Sequence, residues 1–286
     1  MGVTDDAATG AGAAPDPGEP QVFLASKLEA PLALELAGFR IVLVSLPCPG
    51  MPAERINEDG VAVIPAGADT CVIGLADGMS GGRGGETAVR LTLEALCAEV
   101  RAAVVAGGDL REGMLNGFER ANQEVSALGT GAAATLTVAK LDGDTLRVCH
   151  VGDSEALLVG QRGKIKLTTV SHTPAGYGKE AGLLSEREAM HHAERHLLLN
   201  AIGVAGMRIE LGPRLRVAER DTLVLGSDGL FDNWKLEEIG ERVRRGPLDR
   251  AAAALLATTL DRMRSTSAER PGKPDDLSFV LVRRRP

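Results

Sequence analysis

"AATLTVAKLDGDTLRVCHVGDSEALLVGQRGKIKLTTV", Ala133–Val170, decides the fold. It divides into four runs rich in Val, Leu, Ile and Thr, at 133–141, 145–153, 155–160 and 164–170. Such runs, bounded by Gly and Asp, read as strands. "LDGD" (141–144) and "GQRG" (160–163) read as hairpin turns between neighbours, which favours antiparallel pairing. A parallel alternating fold would need a helix after nearly every strand. This stretch contains none.

Further strands are expected on either side, at 40–46, 70–77, 208–217, 222–228 and 277–284. Helices are expected at 85–106, 111–128, 235–245 and 248–264. In the first of these, Val89, Leu93, Leu96 and Val100 recur at three- and four-residue steps, one apolar stripe. Grouped antiparallel strands with amphipathic helices make an α+β layered domain, sheets inside and helices outside. Residues 1–20, rich in Ala, Gly, Pro and Asp, have little to bury and read as a disordered tail, leaving 21–286 as one domain.

The chain has 286 residues and a formal net charge of −7, which argues against general binding to nucleic acid or anionic lipid. The terminal "RRRP" reads as a solvated basic end. No apolar run approaches the ~18 residues of a membrane span, and the acidic start does not resemble a signal peptide. The expected location is cytoplasmic. Aromatic residues are only 2% of the chain, so aliphatic side chains must fill the core. The four cysteines, at 48, 71, 97 and 149, lack CxxC spacing and suggest neither zinc nor disulfides.

Acidic residues mark the strand ends. Asp77 in "GLADGM", Asp153 in "HVGDSE", Asp228 in "LGSDGLFDN" and Asp275 in "KPDDLSFV" stand where the chain enters or leaves the sheet. "NED" at 57–59 precedes the apolar "GVAVI". Turn chemistry alone accounts for one or two such residues. Scattered turn aspartates remain the alternative, but five acidic sites in one domain point to a cluster. Carboxylates brought together repel, so they either take up protons or hold cations. Oxygen-only ligands suit Mg²⁺ or Mn²⁺. After Asp77, the glycine-dense "GMSGGRGG" leaves the carbonyl of Gly78 free of side-chain obstruction.

In order and spacing, "NED", "ADGM…GGxxGGETA", "VGDS", "SDGLFDN" and "DDLSFVLV" resemble the motifs of metal-dependent serine/threonine protein phosphatases (PPM type, protein phosphatase 2C). "SHTPAGYGKEAGLLSEREAMHHAERHLLLNAIG" (171–203) is similar to the flap of the bacterial branch. The resemblance implies a central β-sandwich of two antiparallel sheets flanked by helix pairs, a four-layer αββα arrangement, with two Mn²⁺ or Mg²⁺ ions at one edge. It implies that Asp77 bridges both ions, that the Gly78 carbonyl binds one, and that Asp228 and Asp275 complete the other's shell. Glu58 and Asp59 would act mostly through metal-bound water, and Asp153 with Asp228 would hold a third ion. Ions ~3.5–4 Å apart would share a hydroxide that attacks a phosphoserine or phosphothreonine in line. Asp77, Asp228 and Asp275 would thus be catalytic through metal-bound water.

Three positions depart from the family pattern. Glu54 stands where a phosphate-binding Arg is usual, and Arg55 beside it is either a substitute or a surface cation. Gly82 replaces a motif His, with Arg83 next to it as a second phosphate-binding candidate or a solvated loop residue. Glu155 replaces an Arg after "GDS" and is expected to face its strand neighbours. His191, His192 and His196 read as packing or flap contacts before a metal cluster, and His150 and Trp234 as core residues. Two functions follow: an active phosphatase, or a phosphatase-like module that binds metal and phosphopeptide with weak or no turnover. The first implies phosphoprotein substrates, an opposing Ser/Thr kinase and a monomer.

Overall fold

The computed structural model describes residues 18–28, 30–52, 55–79, 84–265 and 272–285. Its first strands are β1 (Gln21–Leu24), β2 (Leu32–Leu36), β3 (Phe39–Leu46), β4 (Asp59–Pro65) and β5 (Thr70–Met79). Helices α1 (Gly85–Val105) and α2 (Leu110–Ser126) follow, then β6 (Ala133–Ala134), β7 (Leu136–Asp142), β8 (Thr145–Val151), β9 (Glu155–Val159) and β10 (Ile165–Thr168). Short helices α3 (Pro174–Glu180) and α4 (Glu186–Met190) precede β11 (Glu210–Leu211), β12 (Leu215–Arg216) and β13 (Thr222–Gly226). Then come α5 (Asp228–Phe231), α6 (Leu236–Val243), α7 (Leu248–Arg264) and β14 (Leu277–Arg284).

All pairings are antiparallel and form two sheets. One runs β1-β4-β5-β7-β8-β11, with β6 on β5 and β12 on β8; the other runs β10-β9-β13-β14-β3-β2. Strand alternation explains the layers. In β3, Phe39, Ile41 and Leu43 face the second sheet's partner across the sandwich, while Val42 and Val44 face helices. In β14, Val280 and Val282 point inward and Phe279 and Leu281 outward. Strands apolar on both faces need cover on both. α1 and α2 cover the first sheet, and α5 to α7 cover the second. The expected four-layer sandwich is the observed one.

The two hairpins form as expected, β7 with β8 and β9 with β10. Between them, at Gly152–Ser154, the chain changes sheets. Two expected strands are broken. The run 133–141 is interrupted at Thr135, whose backbone N–H donates to the Asp77 carbonyl at 2.8 Å. The run 208–217 is interrupted around Pro213, which has no N–H for a ladder. The sequence reading passed over β1, β2 and β4, and also the short helices α3 to α5. Residues 1–17 of the expected tail lie outside the described residues, and Glu19 forms an ion pair with Arg101 of α1.

All four cysteines are buried and free. Among the described residues, no helix is long and apolar enough to cross a membrane. The α1 stripe is buried as expected, and Leu96 is enclosed between the first sheet and Gly117 of α2. Leu96→Ala is expected to cost about 2–5 kcal/mol, read as a lower urea midpoint with an unchanged slope.

Candidate metal centre

The site begins with strand register. β4 and β5 pair so that Asp59 lies opposite Asp77 at the end of the first sheet. Asp77 is fixed by its backbone: its N–H donates to Thr135 Oγ1 at 2.9 Å, and its carbonyl accepts from Thr135 N–H. Thr135 Oγ1 in turn meets Ser154 Oγ at 2.7 Å, tying Asp77 to the loop that carries Asp153. Gly78 has little room. A Cβ there would stand 2.6 Å from the Gly85 backbone and 2.9 Å from the Glu58 carbonyl. The glycine is therefore required by the returning chain, quite apart from any ligand. Glu58 itself lies over the first residue of α1, where a Cβ on Gly85 would meet its Oε1 at 2.6 Å. A helix N-terminus favours a carboxylate there.

The second sheet brings the other acids. Asp228 starts α5 directly after β13, and Asp275 precedes β14. Ser227 and Ser278 join those strand ends: Ser227 N–H donates to the Ser278 carbonyl at 2.9 Å and Ser278 N–H to Ser227 Oγ at 3.1 Å. The Ser227 hydroxyl also reaches across the sandwich and donates to Asp59 Oδ2 at 2.9 Å. Asp59 Oδ1 is buried with no partner among the described residues.

The acids raise one another's carboxyl pKa values. Burial pushes the Asp77 carboxyl well above the usual carboxylate range, and Asp59, Asp228, Asp153 and Asp275 push it further. Asp59 is raised by burial and then by Asp276. Asp153 is raised by burial, Asp228 and Asp232, with Lys273 opposing. Burial and Asp275 push Asp228 up to about 7, again against Lys273. An unpartnered Asp59 oxygen among proton-hungry carboxylates, all oxygen donors, fits a hard divalent cation.

Three participants escaped the sequence reading. Asp276 clamps the Glu58 loop: its Oδ2 accepts from Glu58 N–H at 2.8 Å and its Oδ1 from Cys48 N–H at 2.7 Å. Asp276 Oδ1 also accepts from Arg55 Nη1 at 2.6 Å, so Arg55 is anchored at the site and is not a free surface cation. Asp232 and Lys273 are the other two, an ion pair that puts an ammonium inside the acidic cluster. The doubled "DD" and the lysine two residues before it were the available signals. Glu54, Gly82 and Arg83 lie outside the described residues.

Glu155 corrects its expectation. It shares the parity of Leu157 and Val159, which face the helical layer, and so lines a cleft of about 60 Å³ with Asp153, Asp228, Lys179 and Glu186. Its Oε2 is buried without a partner among the described residues, and burial pushes its carboxyl up to about 7. Trp234 is a core residue as expected, its Nε1–H donating to Thr259 Oγ1 at 2.8 Å.

The histidines settle by hydrogen bonding. His191 Nδ1 bonds the Arg187 carbonyl at 2.8 Å, and His192 Nδ1 accepts from Glu194 N–H at 3.2 Å, both local contacts in the flap. His150, His172 and Glu210 lie close enough to hold a metal. His172 Nδ1 accepts from Gly152 N–H at 3.0 Å, so its Nε2 carries the hydrogen and donates to Glu210 at 3.2 Å. His150 Nε2 donates to the Val170 carbonyl at 2.9 Å. Both nitrogens that face Glu210 are donors, so this trio is a hydrogen-bonded anchor. It holds Gly152 beside Asp153 through a second bond, from His172 N–H to the Gly152 carbonyl.

An antiparallel sandwich whose edge gathers carboxylates from both sheets defines a class of metal-dependent enzymes, and comparisons place the chain within it. The family model described as protein phosphatase 2C matches residues 53–271, and the chain belongs to that family. It is 30% identical over 239 residues to the serine/threonine protein phosphatase PstP of Mycobacterium tuberculosis, covering 79% of this chain and 42% of PstP. It is 27% identical to the serine/threonine phosphatase stp of Listeria monocytogenes, covering 80% of this chain and 90% of that one. A solved catalytic domain of PstP with two manganese ions shares 25% identity and superposes with a TM-score of 0.66, over 86% of this chain and 97% of that one.

The raised carboxyls fix a sign. An acid whose pKa is higher folded than unfolded destabilises the fold as pH rises through the folded value. His150 and His172, kept neutral by burial, act in the opposite direction at lower pH. In chelator, the melting temperature is therefore expected to fall as pH rises through about 7, where Asp228 ionises, and saturating Mn²⁺ should flatten that slope. Parallel profiles with and without Mn²⁺ would refute the cluster.

Proposed function

We propose that Asp77, Asp228 and Asp275, with the Gly78 carbonyl and Asp59, hold two divalent cations, Mn²⁺ or Mg²⁺, and that the enzyme hydrolyses phosphoserine and phosphothreonine in phosphoproteins. The observation that carries this is the convergence of acids from both sheets: Asp59 lies opposite Asp77, Ser227 beside Asp228 reaches across to Asp59, and one ammonium, Lys273, meets both Asp228 and Asp275. Bound cations would activate water for in-line attack and neutralise phosphoryl charge. The chain's own part is positional. Thr135 and Ser227 fix the two sides of the cluster, and Asp276 holds the Glu58 loop against it. Glu58 acts at the rim through water, and Asp153 with Asp228 offers a third cation position.

Arg55 is the phosphate-binding candidate that this geometry supports. One of its five N–H donors is spent on Asp276, and the planar fork leaves others for phosphoryl oxygens. Arg83 stays a candidate on its motif position alone. The reading as a module without turnover rested on Glu54 and Gly82, both outside the described residues; the complete acidic set favours turnover. A cytoplasmic monomer opposed by a Ser/Thr kinase completes the proposal.

With Mn²⁺, the purified chain is expected to release phosphate from a phosphothreonine peptide and to stop in chelator. Asp228→Asn should lower kcat/KM by on the order of 10²–10³, measured with the same peptide at saturating Mn²⁺. A loss below tenfold would remove Asp228 from the ligand set. Arg55→Ala is expected to raise KM about tenfold with a smaller change in kcat, and Arg55→Lys to recover part of it.

A further inference from the structure

A second unpartnered carboxylate oxygen lies beside the acidic cluster, on Glu155. This residue opens β9 two positions after Asp153 and is only 8% exposed. Its partner on β13 is Gly226, which has no side chain to offer a bond. Its Oε2 meets no donor among the described residues. The cleft it lines runs from Asp153 and Asp228 to the flap helices α3 and α4. Other polar groups there are already engaged. Glu186 accepts from Leu236 N–H at 2.9 Å, and Asp232 pairs with Lys273 at 3.2 Å and with Arg195 at 3.6 Å. The Ser171 and Thr173 hydroxyls bond each other at 3.0 Å. Lys179 also lines the cleft, yet it acts on Glu155 only through space, without an ion pair between them.

A buried carboxylate without a donor carries a desolvation cost that a ligand can relieve. The walls of the cleft say which ligand. Ala175, Ala189, Met190, Phe231 and Leu236 are apolar, while five acids line it against two bases, Lys179 and Arg195. An apolar wall with an acidic end suits a long aliphatic stem carrying a cationic head. A guanidinium, flat and forked, matches a carboxylate better than an ammonium does. Two residues of extended chain span at most about 7 Å, so a substrate with its phosphate at the centre can place a neighbouring side chain here. We infer that Glu155 is a specificity residue that binds the guanidinium of an arginine within two positions of the phosphorylated Ser or Thr. This rests on the phosphatase reading above and names its substrate class, phosphorylated basic segments. An Arg after "GDS", the family pattern, would repel such a side chain; Glu155 reverses that charge.

The test is a set of phosphothreonine peptides, alike except for Arg, Ala or Glu at each of the two positions on either side, assayed with Mn²⁺. The readout is the ratio of kcat/KM for the Arg peptide over the Ala peptide within one variant, so a general loss of activity cancels. Wild type is expected to favour Arg at one position or more by about tenfold, chiefly through KM, and to disfavour Glu there. Glu155→Gln, close in shape, should abolish the preference, and Glu155→Arg should turn it toward Glu. Lys179→Ala removes a competing cation from a partly exposed position and should raise the ratio. It keeps the test open if the buried Glu155 variants fail to fold. A wild type indifferent to Arg, a preference that survives Glu155→Gln, or a ratio that does not rise in Lys179→Ala would overturn the subsite while leaving the phosphatase reading intact. Release of phosphate from no peptide by wild type would instead overturn that reading, and the subsite with it.

Discussion

Repulsion among carboxylates gathered at one edge of the sandwich is the constraint on which the rest depends. Asp59 and Asp77 come from the first sheet, Asp228 and Asp275 from the second, and Asp153 from the loop where the chain crosses between them. Hydrophobic burial closes the sandwich, and closure forces the charges together. Left alone, each would take up a proton or splay outward. The fold prevents splaying because the acids are held by backbone bonds from residues that cannot move independently, Thr135 beneath Asp77 and the Ser227–Ser278 pair beneath Asp228. What remains is a standing demand for positive charge.

That demand is met unevenly. On the side of Asp228 and Asp232, Lys273 answers it within the chain. At Asp276 the answer is Arg55 with two backbone N–H groups, so that carboxylate is satisfied and serves structure. Asp59 Oδ1 has no partner among the described residues. The division between satisfied and unsatisfied oxygens separates Asp276, which locks the Glu58 loop, from its neighbour Asp275, which faces the cluster. Two adjacent aspartates in one motif thus do different work: Asp276 bonds the Glu58 loop and Cys48, while Asp275 meets Lys273.

Much of this was legible in the sequence. The hairpins at 141–144 and 160–163 announced antiparallel pairing, and β7–β8 and β9–β10 form there. The α1 stripe named its buried face correctly. The acids were found because each interrupts an apolar run. Lost were features whose signal is not local. β1 and β2 are short edge strands only partly buried, so their patterns are weak. Thr135 looked like a strand residue because nothing nearby in sequence says that its hydroxyl is claimed by Asp77. Glu155 was misplaced because its direction depends on which sheet β9 joins, and a lysine in "GKPDD" carries no mark of the three aspartates it will meet.

The division of acids between sheets also decides what the cluster can report. If all five stood on one sheet, their repulsion would be a property of that sheet and would exist in any partly folded state that formed it. Because Asp77 meets Asp228 and Asp275 only when the second sheet docks, the penalty arises at the last step of closure, and so does the opportunity to relieve it. Whatever cation binds there favours the docked sandwich over every state in which the sheets are apart. A tethered ammonium from the loop between α7 and β14 does the same from inside, at a cost already included in folding. The catalytic edge and the stability of the sandwich are therefore the same electrostatic problem, and a substitution that changes the charge there must move both.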